Sequence, residues 1–177
     1  MRHATSLLSS ALILFCAGTA SAGSVEVKGV HLCCGNCVKG VDKALTGVSG
    51  VSAVKCDREA KTVSFTAADD KAAQTGIDAL AKGGFHGTAT VDGKEARFPA
   101  SGAKEDAKAD TIAVSNVHLC CAACVKAANA AVKAVAGVSE VKCDRDASSV
   151  TVTGKDVSVS AVVKALNDEG FHATIKE

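Results

Sequence analysis

The segment Val30 to Lys39 reads Val-His-Leu-Cys-Cys-Gly-Asn-Cys-Val-Lys, and it returns 87 residues later as Val117 to Lys126, Val-His-Leu-Cys-Cys-Ala-Ala-Cys-Val-Lys. Gly50 to Arg58 returns at the same spacing as Gly137 to Arg145, and Gly84-Phe85-His86 returns 86 residues on as Gly170-Phe171-His172. A chain that repeats itself at this period is built from two copies of one small unit. The repeats predict a first domain over 24–92 and a second over 111–177. Between them, residues 93–110 are rich in Ala, Lys, Asp, Glu and Gly and hold the only proline, Pro99. That composition reads as a solvated, flexible linker, whose 18 residues allow an end-to-end distance of roughly 23 Å.

The first residues stand apart from the repeat. Arg2 and His3 form a short basic start, Leu7 to Ala17 is largely apolar yet too short to span a bilayer, and Ala20-Ser21-Ala22 is an A-x-A cleavage signal. Residues 1–22 therefore read as a secretory signal peptide cleaved after Ala22, which places the mature protein in the periplasm or outside the cell. A lipoprotein would use Cys16, but bulky Phe15 stands immediately before it. No other segment is long and apolar enough to insert in a membrane. Net charge is only +1 and aromatics are 3%, without Trp or Tyr, so neither an electrostatic nor a base-stacking case exists for nucleic acid. Cleavage removes Cys16 and leaves eight of the nine cysteines, four per repeat.

Hydrophobic periodicity predicts the elements of each repeat. Val25, Val27 and Val30 alternate as a first strand. Cys37, Val41, Leu45 and Val48 recur at helical spacing until Gly47 and Gly50 stop the helix. Val51, Val54 and Cys56 form a second strand, Val63 and Phe65 a third, joined by a charged turn at 57–61. A second helix over 72–81 turns Ile77 and Leu80 inward, and His86 to Val91 is the last strand. The second repeat follows with Ile112/Val114, Val125/Val132/Val135, Val138/Val141/Cys143, Val150/Val152, Val159/Val162/Leu166 and Ala173/Ile175. The order β-α-β-β-α-β is the ferredoxin-like unit of the α+β class. Its right-handed crossover brings the end of strand one, the start of helix one, the end of strand two and the start of strand four to one edge. Cys33, Cys34 and Cys37, Cys56, and His86 are thereby drawn toward one end of the first domain.

Three thiols in five residues hold a soft metal ion or exchange disulfides. Cys34 and Cys37 form a C-x-x-C pair entering a helix, whose N-terminus favours thiolate over thiol. Such sulfurs suit linear or trigonal Cu(I), Ag(I) or Hg(II), or tetrahedral Zn(II) or Cd(II) when further ligands join. The chain here resembles the heavy-metal-associated domains, the modules of copper chaperones, metal-transport ATPase tails and the periplasmic mercury-binding protein. The resemblance rests on the element order, Gly29 ahead of the C-x-x-C, the helix after it, the Gly-Val opening strand two and the Gly-Phe before strand four. It covers both repeats. The family motif is Met-x-Cys-x-x-Cys, so the resemblance implies Cys34 and Cys37 as ligands, with Cys121 and Cys124 in the second repeat. Leu32 and Leu119 stand at the family's Met, a packing position under the loop.

Two departures bear on the metal. Cys33 and Cys120 occupy the family's variable position, and Cys56 and Cys143 lie in a strand that usually carries an aliphatic residue. Each is a further candidate ligand, with a Cys33–Cys56 disulfide or a plain buried thiol as the alternative. His31 and His118 read as solvent-facing or loop-stabilising residues rather than ligands, and His86 and His172, at the same edge, each follow a Phe that needs burial and likewise read as non-ligands. The expected function is a non-enzymatic, exported soft-metal-binding protein, a metallochaperone or scavenger that passes its ion by thiolate exchange. Its partners would be the ion and a metal transporter or another metal-binding protein. A disulfide-stapled interaction module remains open, since each repeat has an even thiol count. So does a periplasmic thiol–disulfide oxidoreductase, although the only proline is in the linker. Val38 and Val125 follow the motifs where c-type haem attachment needs His.

Overall fold

A computed structural model describes residues 23–176; the expected signal peptide lies outside them. The first domain runs β1 (Gly23–Lys28), α1 (Gly35–Leu45), β2 (Val51–Asp57), β3 (Thr62–Ala67), α2 (Asp70–Lys82), β4 (Thr88–Val91) and β5 (Lys94–Ala96). The second runs β6 (Lys108–Ser115), α3 (Ala122–Lys133), β7 (Val138–Asp144), β8 (Ser149–Ser158), α4 (Val159–Asp168) and β9 (Thr174–Ile175). The sheets have the orders β2-β3-β1-β4-β5 and β7-β8-β6-β9, with antiparallel neighbours throughout. The chain is thus a tandem of ferredoxin-like α+β domains.

Local chemistry accounts for the elements. Val25 and Val27 of β1 are fully buried and lie opposite Phe65 and Val63 of β3, while the intervening residues face outward. Cys37, Val41 and Leu45 recur every four residues and form the buried stripe of α1. Asp69 caps α2 by accepting a 2.7 Å hydrogen bond from the amide of Ala72. Strand β2 presents Val51, Val54 and Cys56 to one side although their spacing is not strictly even. The register shift between Ser52 and Lys55, with Ala53 at φ +52°, inserts the extra residue that permits it. A similar shift lies between Val138 and Glu140.

The stretch 93–110 contributes β5 and the first residues of β6. Between them, the carbonyls of Ser101 and Glu105 accept hydrogen bonds from Ile175 N and Ser160 Oγ, which ties the connection to the second domain.

The two domains meet through their repeated Gly-Phe-His segments. Phe85 and Phe171 pair as an isolated antiparallel bridge and are buried. His86 N donates to Gly170 O and His172 N to Gly84 O, each at 3.0 Å. Such reciprocity is what two equivalent halves produce when they face one another. Gly84 and Gly170 both have φ +82°, and a Cβ there would lie 2.4 Å from His118 N or 2.3 Å from Gly29 O. Only glycine allows this backbone approach.

His86 and His172 complete the contact, with Nδ1 atoms 3.5 Å apart and Phe98 packed on the His86 ring at 4.6 Å. Burial, and then the neighbouring His172, lower the pKa of His86 to about 4 against a weaker opposing pull from Asp168; burial lowers His172 as well. Unfolded histidine titrates near 6.5, so between pH 6.5 and 4 the open state binds more protons than the docked one. Stability is therefore complete above pH 6.5 and falls as the pH drops toward 4. The expected loss is roughly 1–3 kcal/mol, discounted because His86 is partly exposed while His172 is buried. Denaturant unfolding at pH 7 and pH 4.5 measures it, and His86→Gln should flatten the profile. An unchanged profile in His86→Gln would show that these imidazoles do not govern it.

Candidate metal centre

Each Cys-rich loop runs from the end of the first strand of its domain into the first helix. Cys34 and Cys121 sit at the helix N-cap positions in extended conformation, φ −152° and −151°, and neither side chain caps the helix. Their sulfurs are left free for other partners. Cys37 and Cys124 lie one turn in, on the buried stripe, and are fully buried, whereas Cys33, Cys34, Cys120 and Cys121 are half-buried.

Domain docking brings the two loops face to face. Cys33 Sγ lies 3.6 Å from Cys37 of its own loop, and 3.6 and 3.5 Å from Cys121 and Cys124 of the other. Cys120 answers with Cys124 at 3.6 Å, and Cys37 and Cys34 across the interface at 3.6 and 3.8 Å. Cys34–Cys37 and Cys121–Cys124 are separated by 3.9 and 3.6 Å, and Cys34–Cys121 and Cys37–Cys124 by 3.9 Å. Six sulfurs from two domains thus form one contiguous group, at non-bonded distances far beyond the ~2.05 Å of a disulfide. All eight described cysteines are free thiols.

Cys56 and Cys143 are not brought into this group. Cys143 Sγ faces the carbonyl of Val125 at 4.0 Å instead. Burial raises both thiols, Cys56 to about 11 with a smaller contribution from Asp42. Neutral and packed between strand and helix, they behave as small apolar residues.

Within the group, charge is shared. Cys37 is pushed far down by the hydrogen bond from Cys124, with further contributions from the Cys34 backbone and Cys120, while Cys124, the donor, is held up. The two residues occupy equivalent places, so the pair divides one proton between them. Cys121 falls to about 6, chiefly through backbone hydrogen bonding with Cys124, and burial raises Cys33 to about 12 and Cys120 also upward. A group of this kind stabilises a resident negative charge, which is what a soft cation requires.

Two surrounding features escaped the reading of the sequence. Arg58 Nη2 donates to Cys33 O at 3.0 Å, and Arg145 donates from Nη2 to Cys120 O at 2.9 Å and from Nε to Leu119 O at 3.3 Å. Asp57 and Asp144 each accept two backbone hydrogen bonds of the adjoining turn, which fixes the arginines beneath the loops. The repeated Cys-Asp-Arg was the available signal. Second, His31 and His118 are not solvent-facing. Phe171 stacks on His31 at 4.2 Å and Phe85 packs tilted against His118 at 4.3 Å, each from the opposite domain. Both Nε2 atoms are buried without a hydrogen-bond partner, and a ring nitrogen of His31 lies within 4.8 Å of the sulfurs of Cys33 and Cys124. His86 and His172, drawn to the same edge by the topology, pair with each other instead.

Among known proteins, the family described as "Heavy-metal-associated domain" matches residues 24–86 and again 111–172. No curated protein matches the chain significantly. Similar solved structures include oxidized MerP from Ralstonia metallidurans CH34, at 29% identity and a TM-score of 0.36, covering 38% of this chain and 96% of that one. The N-terminal domain of PacS from Synechocystis PCC6803 has 23% identity and a TM-score of 0.35 over 39% of this chain and 100% of that one. The N-terminal soluble domains of Bacillus subtilis CopA have 15% identity and a TM-score of 0.35 over 89% and 95%.

Proposed function

The chain belongs to the heavy-metal-associated domain family, and from that premise we propose that it is an exported soft-metal-binding protein, a metallochaperone or scavenger. Cys34, Cys37, Cys121 and Cys124 are its principal ligands, joined by Cys33 and Cys120. Its cargo is a thiophilic ion of the Cu(I), Hg(II) or Zn(II)/Cd(II) class. The observation that carries the reading is the convergence of six free sulfurs at 3.5–3.9 Å on two helix N-termini. Cys56 and Cys143, remote from that group, are structural thiols.

The mechanism follows from the same arrangement. Cys37 and Cys124 are inside, whereas the other four sulfurs are partly accessible, so an incoming thiolate joins the ion before a resident one leaves. The imidazoles and arginine-held carbonyls keep the loops in place through the exchange. A donor or acceptor is therefore another thiol-bearing metal protein, such as the soluble domain of a metal transporter. Export rests on residues 1–22, and no helix among the described residues is long and apolar enough to cross a membrane.

Anaerobically purified protein is expected to take up Cu(I), Zn(II), Cd(II) or Hg(II) tightly, and Cys34→Ser with Cys121→Ser to weaken uptake at least about tenfold. Elemental analysis after gel filtration checks this. Absence of uptake, or uptake indifferent to the double substitution, would remove the reading.

A further inference from the structure

We propose that the six sulfurs form one polynuclear Cu(I) centre shared by the two domains, with Cys33 and Cys120 as ligands in trans, rather than one separate site per C-x-x-C. The inference rests on the soft-metal reading above and names its cargo and nuclearity.

The pattern of distances carries it. Sulfurs within 4 Å of one another define four closed triangles. These are Cys33–Cys37–Cys124, Cys33–Cys121–Cys124, Cys34–Cys37–Cys120 and Cys37–Cys120–Cys124. The sulfurs divide into three opposed pairs, Cys33/Cys120, Cys34/Cys124 and Cys37/Cys121, none of which is in contact. That is the connectivity of an octahedron opened slightly along the edges between sequence neighbours 33–34 and 120–121. No four sulfurs of an octahedron are mutually adjacent, so it offers three-sulfur holes and no tetrahedral ones. Zn(II) in a structural site requires the tetrahedron. Dividing the edges by √3 puts each face centre roughly 2.0–2.3 Å from its corners, close to the ~2.3 Å of a metal–thiolate bond. A linear two-sulfur site would need the sulfurs about 4.6 Å apart, wider than any of these contacts.

The trans role of Cys33 and Cys120 follows. Every triangle draws on both loops, and Cys33 closes one with Cys121 and Cys124 alone. Within its own loop the third thiol contacts only the buried cysteine, Cys33 with Cys37 and Cys120 with Cys124 at 3.6 Å, so a separated domain closes no triangle at these distances. His31 and His118 provide an independent indication. Their Nε2 atoms are buried without a hydrogen-bond partner, and a ring nitrogen of His31 lies within 4.8 Å of the sulfurs of Cys33 and Cys124. Bridging thiolates carry the negative charge that an N–H donor at that place satisfies. Filling the faces with monovalent ions discharges the sulfurs by displacing thiol protons to solvent, with no change in oxidation state.

Anaerobic titration of the full chain with Cu(I), followed by emission and by elemental analysis after gel filtration, tests the proposal. The wild-type protein is expected to bind more than two Cu(I), up to about four, with the red emission of water-shielded Cu(I)–thiolate clusters. Cys33→Ser with Cys120→Ser, and separately Gly170→Ala, which keeps every thiol but disrupts docking, should each lose the emission and fall to about two Cu(I) per chain. Two Cu(I) in the wild type, without emission and unaffected by either variant, would overturn the shared centre and leave the soft-metal function standing. Failure of the wild type to bind any soft metal would overturn both.

Discussion

Alanine at Gly170 is expected to separate the two domains while each keeps its fold. Gly170 adopts φ +82°, and a Cβ there would lie 2.3 Å from both Gly29 O and His31 N, backbone atoms of the opposite domain. These are not flexible side-chain ends, so the neighbouring chain cannot yield locally. The left-handed conformation adds about 1 kcal/mol against any residue with a Cβ. Displacing this segment removes the hydrogen bonds from His31 and His86 to Gly170 O and lifts Phe171 off His31. The expected loss of docking free energy is about 2–4 kcal/mol. Gly84→Ala should behave alike, because its Cβ would meet His118 N at 2.4 Å and Asn116 O at 2.6 Å. Solution scattering should show a larger radius of gyration, with far-ultraviolet circular dichroism unchanged. Equal compactness of variant and wild type would mean that docking does not depend on these glycines.

The second large effect is expected from Cys37→Ser with Cys124→Ser. These are the fully buried members of the sulfur group, and each contacts sulfurs of both loops. Serine is close in size, so the fold survives, but a hydroxyl is a hard, poorly ionised donor for a soft ion. Competition against a Cu(I)-chelating dye should reveal affinity reduced by about 100-fold or more. Cys56→Ser with Cys143→Ser, tested alongside, should leave affinity within about threefold, since neither thiol reaches the group. The reverse ranking would relocate the ligands to the strands.

Much of the architecture is legible in the residues because it depends on local period. Val25 and Val27, Cys37, Val41 and Leu45, and Val63 and Phe65 each declare their element by spacing. The β-α-β-β-α-β order then dictates the sheet order. The Cys-rich loops are equally plain, since thiols at that density have few uses. Three features were hidden, each for a physical reason. The bulge at Ala53 is a backbone event in a strand whose side chains look nearly regular. Arg58 and Arg145 act on carbonyls 25 residues away, and no side-chain pattern advertises a backbone acceptor. The facing of the loops is the largest. Periodicity reports what each repeat buries within itself, whereas Gly84, Phe85, Gly170 and Phe171 bury themselves against the other copy. The duplicated Gly-Phe-His was in view, but a helix-stopping glycine before an apolar residue also suits an isolated domain. With the loops face to face, His31 and His118 turn from surface residues into neighbours of the sulfurs.

X-ray absorption at the metal edge of the full chain, loaded with Cu(I) under anaerobic, reducing conditions, tests the central claim most directly. The expected result is a first shell of about three sulfur atoms per metal at roughly 2.3 Å, with no nitrogen or oxygen in the shell. A shell dominated by nitrogen or oxygen would contradict it, because the six converging cysteines would then not be what holds the ion.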